Sequence, residues 1–192
     1  MPKIITDEEI FQAVIRVVTE RGYVGATTKE IAKAANISEV TLFRRFDNKL
    51  GLVKQAIEAT ISKTDFDTAI KYTGDIISDL IRVVKAYQGS AVKYGQLIFT
   101  LLAETLRHPE LTEILITPLE IFTKVSSLIS RYQSEVILRQ EPPLDALAAL
   151  LGPLMYSSIL NSVLFEDNLP PLDPERLVTR FLYGRLIGKS EN

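Results

Sequence analysis

Residues 27–46 read TTKEIAKAANISEVTLFRRF, and this stretch decides how the first part of the chain folds. It contains two short helical segments separated by Asn36 and Ile37, which suit a tight turn. Thr27 and Glu30 have the spacing of a capping box at the start of the first segment, and Ser38 is a good N-cap for the second. Two short helices joined by such a turn form a helix-turn-helix unit, which we expect over about 27–47.

The second helix of such a unit buries one side and presents the other to the major groove of DNA. Leu42 and Phe46 lie four residues apart on one face, so we expect them in a small core with Ile31, Ala35 and Ile37. The remaining face carries Glu39, Val40, Thr41, Phe43 and Arg44, and the cations Lys29, Arg45 and Lys49 border it. The helical pattern alone also fits an ordinary amphipathic helix of a bundle.

Helix signals continue on both sides of this stretch. Upstream, Thr6 and Glu9 form another capping box, and Gly22 is expected to end the helix that they start. The apolar positions of that helix form one stripe, namely Ile10, Ala13, Val14, Val17 and Val18. Downstream, Asp47 and Asn48 interrupt the chain, and Lys49 begins a fourth helix that extends to about Ser62.

The remainder of the chain also predicts helices, so the fold class is all-α with about nine helices. Glycines and prolines mark the expected breaks at Gly74, Gly89, His108-Pro109, Thr117-Pro118, Pro142-Pro143 and Pro170-Pro171. The helices between them are expected near 75–88, 90–107, 118–139, 143–165 and 173–188. We therefore expect a DNA-binding domain over residues 1–50 and a larger helical domain over residues 51–192.

Composition argues against an enzyme. The chain has no cysteine and a single histidine, His108, and no nucleophile elbow or glycine-rich phosphate loop is present. The carboxylate pairs Glu8/Glu9 and Glu166/Asp167 are expected at helix ends or loops, where solvated surface explains them. We expect no catalytic residues, no cofactor and no metal site.

Two features bear on location. The N-terminus lacks the apolar region of a signal peptide, so a cytoplasmic protein is expected. Ala146–Phe165 holds no formal charge over about the length of a membrane span, but its glycine, proline, serine and asparagine residues favour a helix buried against protein. No membrane partner is expected.

Residues 27–52, together with residues 13–25 before them, resemble the DNA-binding domain of the tetracycline-repressor (TetR) family, and the resemblance covers roughly residues 8–55. It implies that Thr28 and Ser38 contact DNA phosphates from helix N-termini and that Glu39, Val40 and Thr41 reach base edges. It also implies a backbone contact from Lys49. With Lys29, Phe43 and Arg44, these make up the predicted DNA-binding residues.

Three residues depart from the usual pattern of that family. Glu39 stands where a lysine is frequent, Val40 where a glycine or alanine is frequent, and Phe43 where a tyrosine is frequent. Phe43 cannot donate a hydroxyl hydrogen bond to phosphate. Glu39 repels phosphate unless it accepts from a cytosine amino group or pairs with an arginine, and Val40 suits a thymine methyl group.

The resemblance further implies a ligand-responsive regulator, expected to be a homodimeric repressor that leaves a palindromic operator when it binds a small, largely apolar effector. The last two helices, 143–165 and 173–188, are expected to form the dimer, with Leu177, Phe181, Gly184 and Gly188 as one ridge. A purely structural helical dimer is a further alternative. Candidate effector-binding residues are Tyr94, Gln96, Phe99, Glu104, Tyr132, Tyr156 and Asn161.

Overall fold

A computed structural model describes residues 5–64, 66–163 and 170–183, and over these residues the chain is helical. The all-α fold class is therefore confirmed. The described residues contain nine α-helices and one 3-10 turn, Pro109–Leu111. The α-helices are α1 (Asp7–Gly25), α2 (Thr28–Ala34), α3 (Glu39–Arg45), α4 (Lys49–Ile61), α5 (Phe66–Ala69), α6 (Ile76–Thr105), α7 (Thr112–Ser134), α8 (Pro143–Val163) and α9 (Pro174–Leu182).

The chain forms two compact units. The first unit comprises Met1–Lys63 and Gln96–Pro118, and the second comprises Thr64–Gly95 and Leu119–Asn192. The boundaries of these compact units differ from the domain boundary predicted at residue 50. That functional boundary stays a prediction. Two helices, α6 and α7, contribute residues to both units.

The core of the first unit is built on the apolar stripe of α1. All five predicted stripe residues are buried, as are Leu42 and Phe46 on the second helix of the motif. The Phe46 ring packs against Phe11 of α1, with the ring centroids 5.8 Å apart. The last turns of α6, the 3-10 turn and the first turn of α7 complete this core through Leu97, Leu101, Leu111, Ile114 and Leu115.

The helix starts in the first unit follow the predicted chemistry. Both capping boxes, Thr6 with Glu9 and Thr27 with Glu30, are present, and the Ser38 side chain accepts the backbone N–H of Thr41. Gly22 has a φ of 72° and interrupts the helical path of α1. This conformation suits glycine because a Cβ atom makes it unfavourable for other residues.

The core of the second unit lies among α6, α7, α8 and α9. A buried carboxylate, Asp79, fixes the loop before α6. It accepts the Thr73 backbone N–H at 2.8 Å and the Tyr132 hydroxyl at 2.5 Å, and it pairs with Arg82 at 2.9 Å. Helices α6 and α8 approach closely, because a Cβ atom on Gly95 would lie 2.9 Å from Ser158 Oγ.

Two predicted helix breaks are wrong. Helix α6 runs through Gly89 without interruption, and α7 starts at Thr112 and contains Pro118. Glycine costs a helix about 1 kcal/mol and proline about 3 kcal/mol. Burying one large aliphatic side chain contributes about 1.5–3 kcal/mol. Core residues on both sides of each break, such as Leu80 and Leu97 around Gly89, therefore outweigh these local penalties.

Other boundaries also differ from the predictions. Helix α7 ends at Ser134 rather than near 139, and Val136 beyond it has a φ of 58°. The short helix α5 had no predicted counterpart. Parts of the predicted helices 143–165 and 173–188, including Gly184 and Gly188, lie outside the described residues, as do Glu166 and Asp167.

Helix α8 is apolar on all sides and is only partly covered by its own unit. Its residues Pro143–Asn161 are long and apolar enough to cross a membrane by length and composition, a test that core helices of soluble proteins also pass. Only 28% of that stretch is buried. An apolar helix surface is therefore left exposed on the second unit.

Candidate nucleic-acid interface

Helix α3 is held in the first unit by one face and leaves the other face open. Leu42 is 2% exposed and Phe46 is 4% exposed, so both side chains are core, as predicted. At the start of α3, Ser38 Oγ accepts the Thr41 backbone N–H at 3.1 Å and lies 2.8 Å from the Thr41 hydroxyl. The position of α3 is therefore fixed by burial and by its cap.

The open face of α3 carries two large apolar side chains. Val40 is 79% exposed and Phe43 is 49% exposed. Arg44 lies beside them and is also exposed. A short helix with an exposed apolar pair and a cation can contact thymine methyl groups and phosphates in the major groove.

Glu39 and Thr28 bind each other across the motif. The Thr28 hydroxyl, at the start of α2, donates a hydrogen bond to Glu39 Oε1 at the start of α3. Both residues were predicted to contact DNA, Thr28 at phosphate and Glu39 at a base. This bond orients the Glu39 carboxylate, which otherwise repels phosphate, and it offers a partner that the sequence did not suggest.

Several cationic side chains near α3 bind other groups of the protein. Arg45 donates to the Ile5 carbonyl at 2.8 Å and to Asp7 at 3.2 Å. Arg21 pairs with Glu30. Lys29 and Arg44 are exposed, and no ion pair is recorded for either in the part of the chain that the structure describes. These two side chains are therefore the predicted cations that are most available to phosphate.

Lys49, the first residue of α4, lies against Tyr23 instead of pointing freely into solvent. Its ammonium donates to the Tyr23 carbonyl and lies 4.1 Å from the centroid of the Tyr23 ring. Burial lowers the pKa of Lys49, and the negative charge of Glu104 opposes that shift. The predicted contact of Lys49 with the DNA backbone stays a prediction.

The predicted effector-binding residues do not all fall in one unit. Gln96, Phe99 and Glu104 belong to the first unit, where Glu104 accepts the Tyr23 backbone N–H at 2.9 Å. The other four belong to the second unit. Of these, the Tyr132 hydroxyl is bound to buried Asp79, and Tyr156 is 64% exposed.

The structure points to two hydroxyl groups that sequence reasoning missed. Ser126 Oγ on α7 is buried without a hydrogen-bond partner among the described residues. One turn earlier, the Phe122 ring lies 6.5 Å from the Tyr87 ring of α6, and burial raises the pKa of Tyr87 to about 12. No sequence pattern distinguishes Ser126 from its neighbours Ser127 and Ser130, because the signal is its burial.

The described residues contain no group of three or more His, Cys, Asp or Glu side chains that could hold a metal ion. His108 lies 3.4 Å from Glu110 at the 3-10 turn that precedes α7. Glu8 pairs with Lys63, and Glu9 belongs to a capping box, so these two carboxylates have structural roles.

A buried Leu42 and Phe46, a capped α3 and an exposed outer face are the features of a helix-turn-helix DNA-binding protein. Residues 10–56 match the family model described as bacterial regulatory proteins, tetR family. This match and the similarity to HTH-type regulators support a TetR-family transcriptional regulator, as the resemblance predicts. Proteins of this kind regulate transcription and are not enzymes.

Individual relatives agree with this family. The chain is 38% identical to the HTH-type transcriptional regulator YvkB of Bacillus subtilis over 78 residues, which cover 41% of each protein. The chain thus matches about two fifths of the length of that relative. This chain is similar in structure to the fatty acid degradation regulator FadR from Bacillus halodurans. The TM-score is 0.67 at 19% sequence identity, and the comparison covers 94% of each chain.

A second solved structure, the flavonoid-responsive regulator FrrA, gives a TM-score of 0.64 at 18% identity. That comparison covers 94% of this chain and 96% of FrrA. At these identities the two structures support the all-α fold.

Proposed function

We propose that this chain is a homodimeric, ligand-responsive repressor that acts in the cytoplasm and binds a palindromic DNA operator. The exposed outer face of α3 carries this proposal, because Val40, Phe43 and Arg44 have no role in the core of the first unit. Lys29, Ser38 and Thr41 flank that face, and the Thr28–Glu39 pair borders it. Two such faces about 34–36 Å apart would match successive turns of the major groove.

The exposed side of α8 supports the homodimer. Leu144 is 65% exposed, Tyr156 is 64% exposed and Ile159 is 39% exposed, and they share one side of the helix. Small residues lie between them, and a Cβ atom on Gly152 would meet nothing within 4 Å. A second copy of the same helix could therefore approach closely and cover this side.

The ridge predicted on the last helix needs a correction. Leu177 and Phe181 are buried in the core of the second unit, so they are unavailable to a partner. The exposed side of α9 carries Thr179, Arg180 and Tyr183 instead. In the proposed dimer, α8 supplies the apolar contact and α9 supplies polar contacts beside it.

The dimer can be tested by sedimentation of Ile159→Asp beside Val92→Asp. Ile159 lies on the exposed side of α8, and Val92, the control, lies on α6 and is 88% exposed. We expect Ile159→Asp to sediment as a monomer and to lose operator affinity, and Val92→Asp to stay dimeric. A dimeric Ile159→Asp protein would contradict the proposed interface.

The effector is proposed to bind within the second unit as a mostly apolar molecule with one hydrogen-bonding group. A buried hydroxyl without a partner costs about 1–3 kcal/mol, so a ligand group that pairs with Ser126 would be favoured. Tyr87 and Phe122 pack against the apolar core of the second unit, which suits an apolar ligand body. The names of FadR and FrrA refer to fatty acid degradation and to a flavonoid response, which makes both chemical classes reasonable first probes.

This part of the proposal is tested by thermal-shift measurements with long-chain fatty acids and flavonoids, followed by operator binding with and without each hit. We expect a hit to raise the melting temperature and to release the operator. Ser126→Ala should lose that stabilisation, whereas Ser127→Ala, an exposed neighbour, should keep it. An enzyme would consume the ligand, and a structural dimer would bind neither ligand nor operator.

A further inference from the structure

A turn at the end of α1 is held by a side chain from much later in the sequence. Gly22 has a φ of 72° and a ψ of 170°, and the backbone N–H of the next residue, Tyr23, points out of the helix. Glu104, in the penultimate position of α6, accepts that N–H through Oε2 at 2.9 Å. All of these residues belong to the first unit.

The Glu104 carboxylate also occupies the space beside Gly22. A Cβ atom on Gly22 would collide with Oε1 of the same carboxylate. One carboxylate oxygen therefore accepts the Tyr23 N–H, and the other fills the space that a side chain on residue 22 would occupy. The positive φ of Gly22 disfavours other residues there, and a side chain at this position would push the Glu104 carboxylate away from Tyr23.

The other side of Tyr23 is held by Lys49. The Lys49 ammonium donates to the Tyr23 carbonyl and lies 4.1 Å from the ring centroid, a distance typical of a cation–π interaction. Tyr23 is thus bound at its N–H by Glu104 and at its carbonyl and ring by Lys49. We call these three residues the Tyr23 clasp.

The clasp fixes the path of the chain into the helix-turn-helix motif. Ala26 donates its N–H to the Gly22 carbonyl at 3.0 Å and is fully buried, and α2 begins two residues later. On the other side, Lys49 begins α4, four residues after the last residue of α3. The clasp therefore joins the entrance and the exit of the motif that carries the recognition helix.

We propose that Glu104 is a positioning residue for DNA binding, and that Lys49 serves the Tyr23 clasp rather than a DNA phosphate. This inference rests on the proposed DNA-binding function. Glu104 acts as a hydrogen-bond acceptor that orders the turn at Gly22. The Lys49 ammonium binds the carbonyl and the ring of Tyr23. The clasp thereby presents α2 and α3 to the operator in one fixed arrangement.

The test measures operator affinity by fluorescence anisotropy, with the full-length chain and a duplex selected from a random library by the unsubstituted protein. We expect Glu104→Ala to bind about tenfold more weakly, since it loses a hydrogen bond to a charged acceptor. Glu104→Gln keeps an acceptor oxygen and should bind within about twofold of the original chain. Glu113→Ala, an exposed glutamate of the same unit, is the control and should leave affinity unchanged.

Lys49→Met provides a readout that a general loss of stability would not change. It keeps the apolar stem of the side chain but removes the charge, so we expect weaker binding with an unchanged dependence of affinity on salt. A lost phosphate contact would instead reduce the slope of log K against log salt by about 0.9. That reduction, or a Glu104→Ala protein that binds normally, would overturn the inference, as would a Glu104→Gln protein as weak as Glu104→Ala.

A second measurement does not depend on DNA. Gly22→Ala should lower the melting temperature less in the Glu104→Ala background than in the original chain, because the collision with Oε1 is then absent. Strictly additive effects would contradict the clasp. If the unsubstituted chain selects no duplex, the proposed DNA-binding function fails, whereas the additivity of these two substitutions still tests the clasp.

Discussion

Glu39 stands at a position where its charge opposes DNA, and its contacts in the protein determine what it can do there. The Thr28 hydroxyl binds one carboxylate oxygen, which leaves the second oxygen with capacity to accept a further hydrogen bond. A cytosine amino group in the major groove is a suitable donor. We therefore propose that Glu39 reads a base and that Thr28 orients its carboxylate.

Replacing Glu39 with alanine should change the preferred base at one position of each half-site, because the acceptor for the cytosine amino group is lost. Thr28→Val should broaden the preference at the same position, since it leaves Glu39 in place but removes its partner. Selection from random duplexes followed by sequencing measures both effects. An unchanged consensus for Glu39→Ala would exclude Glu39 as a reader.

Arg44 and Arg45 allow a matched comparison between an exposed arginine and an arginine that is bound within the protein. Arg44 is exposed, whereas Arg45 is held by the Ile5 carbonyl and by Asp7. Arg44→Ala should reduce the slope of log K against log salt by about 0.9, the value for one phosphate contact. Arg45→Ala should leave the slope unchanged. Equal slopes for the two variants would contradict the assignment of Arg44 to phosphate.

Among the elements, α6 shows how tertiary packing overrides a local signal. Gly89 predicts a helix end, yet the helix is continuous because both of its halves are buried in cores. A Cβ atom on Gly89 would meet nothing within 4 Å, and the residue is exposed. Its glycine therefore has no packing role in the described structure.

Gly89→Ala should stabilise the protein by about 0.5–1 kcal/mol, because alanine loses less conformational freedom than glycine in a helix. Chemical denaturation monitored by circular dichroism measures this difference. Gly95→Ala is the comparison, and it should destabilise the protein because its Cβ atom would press on Ser158 Oγ. Destabilisation by Gly89→Ala would indicate that the helix does break at this residue.

The network around Asp79 is the main polar feature of the second unit. It has a buried carboxylate that accepts from Thr73 and Tyr132 and pairs with Arg82. Burial alone would raise the pKa of Asp79, but these hydrogen bonds together lower it below its ordinary value. The folded state therefore favours the ionised form more strongly than the unfolded state does.

A depressed pKa contributes stability that is complete above the unfolded value and is lost as the pH falls through the folded value. Stability should therefore decline below about pH 4, the ordinary range of an aspartate. Asp79→Asn should cost about 3 kcal/mol at neutral pH and flatten that decline. The control Asp67→Asn, whose exposed ion pair joins Lys124, should change stability by less than about 1 kcal/mol. Unfolding measured from pH 3 to pH 7 that shows the same decline in Asp79→Asn would contradict this role.

Sequence reasoning identified the elements of the first unit because their signals are local. Capping boxes, the N-cap Ser38 and the spacing of Leu42 and Phe46 need no knowledge of distant residues. The contact between Glu104 and Tyr23 joins residues 81 positions apart, so no local pattern predicts it. The predicted effector-binding role of Glu104 and the predicted phosphate contact of Lys49 stay predictions, and the contacts of both residues with Tyr23 lie beyond the reach of local patterns.

At the scale of the whole molecule, the proposed function of the first unit needs only residues of that unit. The proposed function of the second unit also needs a binding partner. The first unit contains the complete helix-turn-helix motif and its supporting contacts. The second unit leaves an apolar side of α8 exposed and holds a buried hydroxyl at Ser126 without a partner among the described residues. A second copy of the chain would cover the exposed side of α8, and a small ligand would pair with Ser126. These two partners correspond to the proposed homodimer and to the proposed effector that regulates operator binding.

The central claim is that the exposed face of α3 contacts the operator, and photocrosslinking tests it most directly. A photoreactive amino acid can replace Val40 of α3 or Val92 of α6, which are both valines and are 79% and 88% exposed. We predict crosslinks from position 40 to one base step in each half-site of the selected duplex, and no crosslinks from position 92. Crosslinks from position 92 without any from position 40 would contradict the account.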